Sequence, residues 1–155
     1  MRSLNRLFPL LLLLSSAAFA DLSLTTTLSN GQNLNLETGA TTQSGGDMSF
    51  QGTSITFVGN ATDYVLGRNL GAGGFALIVQ ATLSAAGPIF SKTPVTGADL
   101  AVGTVFGVFD NSSHYAKLLI TAVSSTSLTV QFTTYGATGG VPAGGPVISR
   151  VQNIE

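Results

Sequence analysis

Cysteine and tryptophan are missing from the 155 residues, histidine occurs once, and lysine with arginine totals 6. Without cysteine there is no disulfide framework, no thiol nucleophile and no attachment point for a lipoprotein anchor. The few cations and a formal net charge of −1 argue against nucleic acid or an anionic membrane as partner, since both require a basic patch. One histidine and scattered aspartates offer no metal-ligand spacing for zinc, calcium loops are missing, and no cofactor is called for. The Gly-x-Ser-x-Gly elbow of a serine hydrolase does not occur either. What remains is a chain only 8% charged, with 19 glycines and abundant serine and threonine, which suits an all-β surface or an extracellular structural module.

The first twenty residues stand apart. Arg2 and Arg6 form a positive n-region, residues 7–14 are apolar except for Pro9, and Ala18-Phe19-Ala20 is a small-x-small cleavage site. The apolar run falls short of the roughly 20 residues that span a bilayer, and no later segment reaches that length. Residues 1–20 therefore read as a signal peptide cleaved after Ala20, so that the protein starts at Asp21 in the periplasm or outside the cell. The expected organisation continues with one β-rich domain over 21–135, a Gly/Pro-rich linker over 136–146 and a short tail over 147–155.

Alternation of apolar and polar residues dominates that domain. Leu22, Leu24 and Leu28 alternate up to Asn30-Gly31, and Leu34 and Leu36 after it. A three-residue turn with Gly31 in the left-handed conformation would pair Leu24 with Leu36 and put every leucine on one face. Gly52-Thr53 fits a two-residue type II′ turn that sets Phe50 against Ile55 and Met48 against Phe57. A short strand is expected at 64–66, and one helix over 75–85, stopped by Gly87-Pro88. Residues 88–101 read as loop. Strands at 104–109, 115–123 and 127–135 form an antiparallel meander. Odd-length turns at 110–114 and 124–126 then bring Phe106, Val108, Ala116, Leu118, Ile120, Ala122, Leu128, Val130 and Phe132 onto one core face. The predicted fold is mostly β: a meander sheet or partly rolled barrel with one short helix packed on it.

Several of these segments resemble a secreted bacterial β-domain found ahead of extracellular repeat domains. The likeness is carried by Gly46-Asp47-Met48-Ser49-Phe50 with Gly52-Thr53-Ser54-Ile55, by Tyr64 with Leu66-Gly67, and by Gly103-Thr104-Val105-Phe106-Gly107-Val108. His114-Tyr115-Ala116-Lys117 and residues 128–135 extend it, and residues 145–153 resemble the join to a following repeat. These are turn and strand patterns, so the resemblance implies export and a bacterial setting and carries no chemistry.

Candidate sites are few. Gly71-Ala72-Gly73-Gly74-Phe75-Ala76 matches a dinucleotide-binding fingerprint, but no βαβ unit surrounds it and nicotinamide cofactors are not kept outside cells. Asp110, Ser112 and His114 hold the residue types of a catalytic triad but sit in one short turn, where they cannot form the required line of contacts. A glycosidase-like pair would have to come from Asp47, Asp63, Asp99 and Asp110, all beside turn residues. The sequons at Asn60 and Asn111 mark exposed loops. No catalytic residues are assigned, and an enzyme is the less favoured reading. The meander register places Phe109, Tyr115 and Tyr135 in one row on the sheet face away from the core, with Lys117 and Gln131 beside them. Such a row suits a polysaccharide or another cell-envelope component. The expected function is an exported, non-catalytic binding or adhesion module; the alternatives are a structural spacer or a small secreted hydrolase using aspartates.

Overall fold

A computed structural model describes residues 21–137; the expected leader, the linker beyond residue 137 and the tail lie outside them. The chain runs through β1 (Leu22–Ser29), β2 (Asn33–Leu34), β3 (Thr41–Thr42), β4 (Met48–Phe50), β5 (Ser54–Phe57) and β6 (Thr62–Gly67). Two short helices follow, α1 (Gly71–Leu77) and α2 (Gln80–Ala86). The closing strands are β7 (Val95–Thr96), β8 (Val105–Phe109), β9 (Tyr115–Val123) and β10 (Ser127–Thr134). Two antiparallel sheets result, ordered β1-β10-β9-β8-β6 and β3-β2-β4-β5-β7. The fold is mostly β, and in place of a rolled barrel two open sheets share one core. No single helix among the described residues is long and apolar enough to cross a membrane.

That core joins Leu22, Leu28, Leu118, Ile120, Val130 and Phe132 of the first sheet to Leu34, Met48, Phe50, Ile55 and Val95 of the second. Burial of these side chains from two facing sheets is the main favourable term for the fold. The expected pairings Phe106 with Leu118, Phe109 with Tyr115 and Ile120 with Val130 are all present. So are Phe50 with Ile55 and Met48 with Phe57, around Gly52 at φ 73°.

Three expectations need correction. First, Leu24 pairs with Phe132 and not with Leu36, because β1 lies along β10 in a ladder that runs from Leu22–Thr134 to Ser29–Ser127. Gly31 is left-handed as expected, at φ 83°, but there the chain passes into the other sheet: its N–H donates to the Phe50 carbonyl at 2.8 Å. Leu22, Leu24, Leu28, Leu34 and Leu36 do share one core, reached from the two sheets and the turn after β2. Second, the β9–β10 turn is tighter than expected. Ser124 N–H donates to the Ser127 carbonyl at 2.8 Å, so the loop is Ser125-Thr126. A bulge compensates: Thr129 faces Ala122 while Val130 faces Ile120, which leaves Thr121 as the extra residue. Ala122 is consequently exposed, and Val123 packs against the core in its place.

Third, the single helix is two. The chain is extended at Ile78 and Val79, and the two helical segments meet at 84°. Adjacent β-branched residues weaken a helix at that point. Groups on the sheet beneath then accept the break, as described next. The loop expected over 88–101 also contributes β7, which pairs with β5, and Ser91, which bridges to Asp63.

Candidate functional site

The outer face of the first sheet carries its own small core. Val105 and Leu119 pack against Phe75 and Leu83 from the helices and Ile78 from the break between them, with Leu66, Phe90, Tyr115 and Tyr135 at the margins. Lys117, expected to be a solvated neighbour of the aromatic row, is 8% exposed. Its Nζ donates to the Phe75 carbonyl at 2.9 Å and to the Ile78 carbonyl at 2.8 Å, and lies 4.5 Å from the Phe75 ring centroid. Tyr135 Oη donates to the same Ile78 carbonyl at 2.8 Å. Both side chains thus satisfy carbonyls freed where the helix breaks. Burial drives the Lys117 amine below the usual lysine range.

The row itself has the expected register. Phe109 pairs with Tyr115, their ring centroids lie 4.9 Å apart, and Tyr135 N–H donates to the Tyr115 carbonyl at 2.9 Å. All three rings are half-buried, but Lys117 and Tyr135 are engaged by the helices. The aromatic succession continues the other way, from Tyr115 to Phe90 at 6.0 Å and from Phe90 to Tyr64 at 6.3 Å. Gly107 makes room for it, since a Cβ there would meet the Phe90 ring at 2.9 Å. Tyr64, on β6, is 37% exposed and ends the succession at the sheet edge.

Beside Tyr64 lies a cavity of about 200 Å³, lined by Asp63, Ser91, Thr93, Pro94 and Asp99 among others. It brings together two of the four aspartates considered as a pair, and their environments differ. Asp63 points inward, its Oδ1 is buried without a partner, and burial pushes its pKa up to about 7. Asp99 is exposed to a greater degree, and Arg68 Nε, 2.5 Å from Asp99 Oδ1, holds its carboxyl below the usual range. A raised folded-state pKa means that the native protein retains a proton the unfolded chain has lost. Stability should therefore fall as pH rises from about 4 to about 7. Asp63→Asn should flatten that part of the profile and stabilise the protein at pH 8 by roughly 1–3 kcal/mol. Urea denaturation of both proteins at pH 4.5 and pH 8 checks it, and an equal effect at both values would refute the assignment.

A third group of polar residues occupies the end of the sandwich. Asp110 Oδ1 accepts from Ser112 N–H at 2.9 Å and His114 N–H at 2.8 Å, closing the β8–β9 turn. His114 Nδ1 lies 2.6 Å from Glu37 Oε1, which reaches over from the turn that joins β2 to β3 of the other sheet. Burial, and then the Glu37 carboxyl, push the Asp110 pKa up to about 6. Ser112 belongs to the turn through its backbone, so the Asp110, Ser112 and His114 side chains do not form a triad. Asp47, 2% exposed, accepts from Leu36 N–H at 2.8 Å, Asn111 N–H at 3.0 Å and Asn111 Nδ2 at 2.9 Å. Its role is to tie the turn to the second sheet. The glycine-rich fingerprint lies within α1, which follows an antiparallel strand, so the βαβ setting of a dinucleotide site is not formed.

Sequence reading missed Glu37 altogether. It stands 77 residues from His114, and only the stacking of the two sheets brings them together. No protein-family model, curated protein or solved structure proved similar to this chain.

Proposed function

We propose that the protein is an exported, non-catalytic module that binds a glycan or another polyhydroxylated component of the cell envelope. Export rests on the charged, apolar and small-x-small pattern of residues 1–20. The observation that carries the binding reading is the succession Phe109, Tyr115, Phe90 and Tyr64, which ends at an exposed ring beside a polar cavity. A sugar presents an apolar C–H face and a rim of hydroxyls. Tyr64 supplies the flat apolar surface, while the Ser91 and Thr93 hydroxyls and the Asp99 carboxylate supply donors and acceptors around it. The proposed contact thus shifts from the Tyr135 and Lys117 end of the row towards β6.

The test is retention of the chain on immobilised polysaccharides and cell-wall preparations, followed by calorimetry on any that retain it. Tyr64→Ala should weaken binding about tenfold, the equivalent of one aromatic contact, with an unchanged melting curve. Release of new reducing ends during incubation would favour the hydrolase instead. Failure to bind any member of the panel would leave the structural spacer as the better reading.

A further inference from the structure

Asp110 has an atom that the β8–β9 turn does not use. Its carboxylate is 2% exposed and its Oδ1 is fully used by two turn amides, while its Oδ2 is buried with no hydrogen-bond partner. A buried acceptor left in that state costs free energy and calls for an explanation, a bound ion being one. Oδ2 lies 4.0 Å from His114 Nδ1, and one ligand atom each from Glu37, Asp110 and His114 falls within 4.8 Å of the others.

The three side chains are held by separate parts of the fold. Glu37 follows Leu36, whose N–H donates to Asp47 and whose carbonyl accepts the Thr134 hydroxyl at 2.7 Å. Its own N–H donates to Asn35 Oδ1 at 3.0 Å. On the opposite sheet, the turn bearing Asp110 and His114 holds Ser113 in the left-handed region at φ 69°, an uncommon state for serine. Two pinned backbones therefore present one imidazole nitrogen and two carboxylate oxygens to a common point. Glu37 and His114 remain partly open to solvent on the outer side.

We propose that Glu37, Asp110 and His114 form a site for a divalent transition metal, with zinc the best match, that joins the two sheets at this end of the sandwich. One nitrogen and two oxygen ligands suit zinc and its first-row neighbours, whereas calcium requires six to eight oxygens. Three protein ligands leave a fourth position for water on the open side. Bonds of about 2.0–2.1 Å in a tetrahedral site set ligand atoms about 3.3 Å apart. Glu37 Oε1 and His114 Nδ1, now at 2.6 Å, would separate by about 0.7 Å, and Asp110 Oδ2, now at 4.0 Å, would close by a similar amount. In a chain without cysteine, such an ion takes the cross-linking place of a disulfide. The site is independent of the aromatic row, so failure of either reading leaves the other intact.

The chain, purified without a histidine tag and freed of metal by a chelator, is titrated with cobalt(II) and then zinc(II) alone. Cobalt should give visible d–d absorption that saturates at one ion per chain and is displaced by zinc. Zinc at about 100 times its dissociation constant should raise the melting midpoint by about 10 °C. Because the chain has one histidine, its single imidazole NMR signal should shift on zinc binding. Asp110→Asn and His114→Ala should each weaken binding at least tenfold; should Asp110→Asn not fold, Glu37→Gln replaces it. An unmoved imidazole signal and absent cobalt absorption would overturn the proposal, leaving Glu37 and Asp110 to share a proton. Binding of undiminished affinity in the variants would overturn it equally.

Discussion

Phe132→Ala should destabilise the protein by about 3–5 kcal/mol, measured by urea denaturation at neutral pH. Phe132 is fully buried, near the middle of β10, with Leu24 of β1 and Leu118 of β9 as its cross-strand partners. From below, the chain at Gly39 closes the site: a Cβ there would meet the Phe132 ring at 3.6 Å and the Leu24 side chain closer still. Neighbours held by two ladders and a pinned loop collapse poorly into a void, which puts the loss in the upper part of the usual range. Thr129, on the opposite face of the same strand, is half-buried and shares a hydroxyl contact with Thr27 at 2.9 Å. Thr129→Ala should cost no more than about 1 kcal/mol. Similar losses for the two would mean that the core face has been assigned to the wrong side of β10.

The second large effect concerns Lys117. Lys117→Ala should cost about 2–4 kcal/mol, because it removes two charge-assisted hydrogen bonds and an apolar stem buried under α1. The loss should be localised. Amide hydrogen exchange across 71–86 should accelerate at least tenfold beyond the global change, while β9 and β10 follow the global stability. Lys117→Met restores the stem without the donors and should recover part of the stability but not the protection of α1. Uniform acceleration over the whole domain would show that the helices do not depend on this latch.

Those two residues show what was legible beforehand and what was not. Phe132 could be placed on the core face from the chain alone. Alternation with period two and the turn at 110–114 set Phe106 against Leu118, and an odd turn at 124–126 would set Leu118 against Phe132. The turn is in fact one residue shorter, and the bulge at Thr121 restores that pairing. Lys117 followed from the same register and was still misjudged. Alternation says which face a side chain takes, but not what will be laid over that face. The helix break at Ile78 and Val79 was hidden for a related reason, since the groups that accept it, Lys117 and Tyr135, are some forty residues or more further on. The β1 partner was misread because a nearby leucine repeat satisfies the same pattern as the distant β10. The eight-residue ladder with β10 prevails over a two-residue strand through sheer length. Glu37 carried no local mark at all. Its importance comes from the stacking of two sheets, a relation that no spacing along the chain encodes.

The ladder between β1 and β10 also determines how the domain responds to being pulled. Leu22 lies opposite Thr134, and beyond that pair Gly136 N–H donates to Asp21 Oδ1 at 3.1 Å, so both ends of the domain leave from the same corner. Tension applied between those ends runs across the ladder rather than along it. It loads the Leu22–Thr134 pair first and then each pair in turn, as a zipper opens, so rupture proceeds at low force. Placed in series between two anchored segments, this domain would unravel from its first strand; attached by that one corner, it hangs to the side and feels no strain.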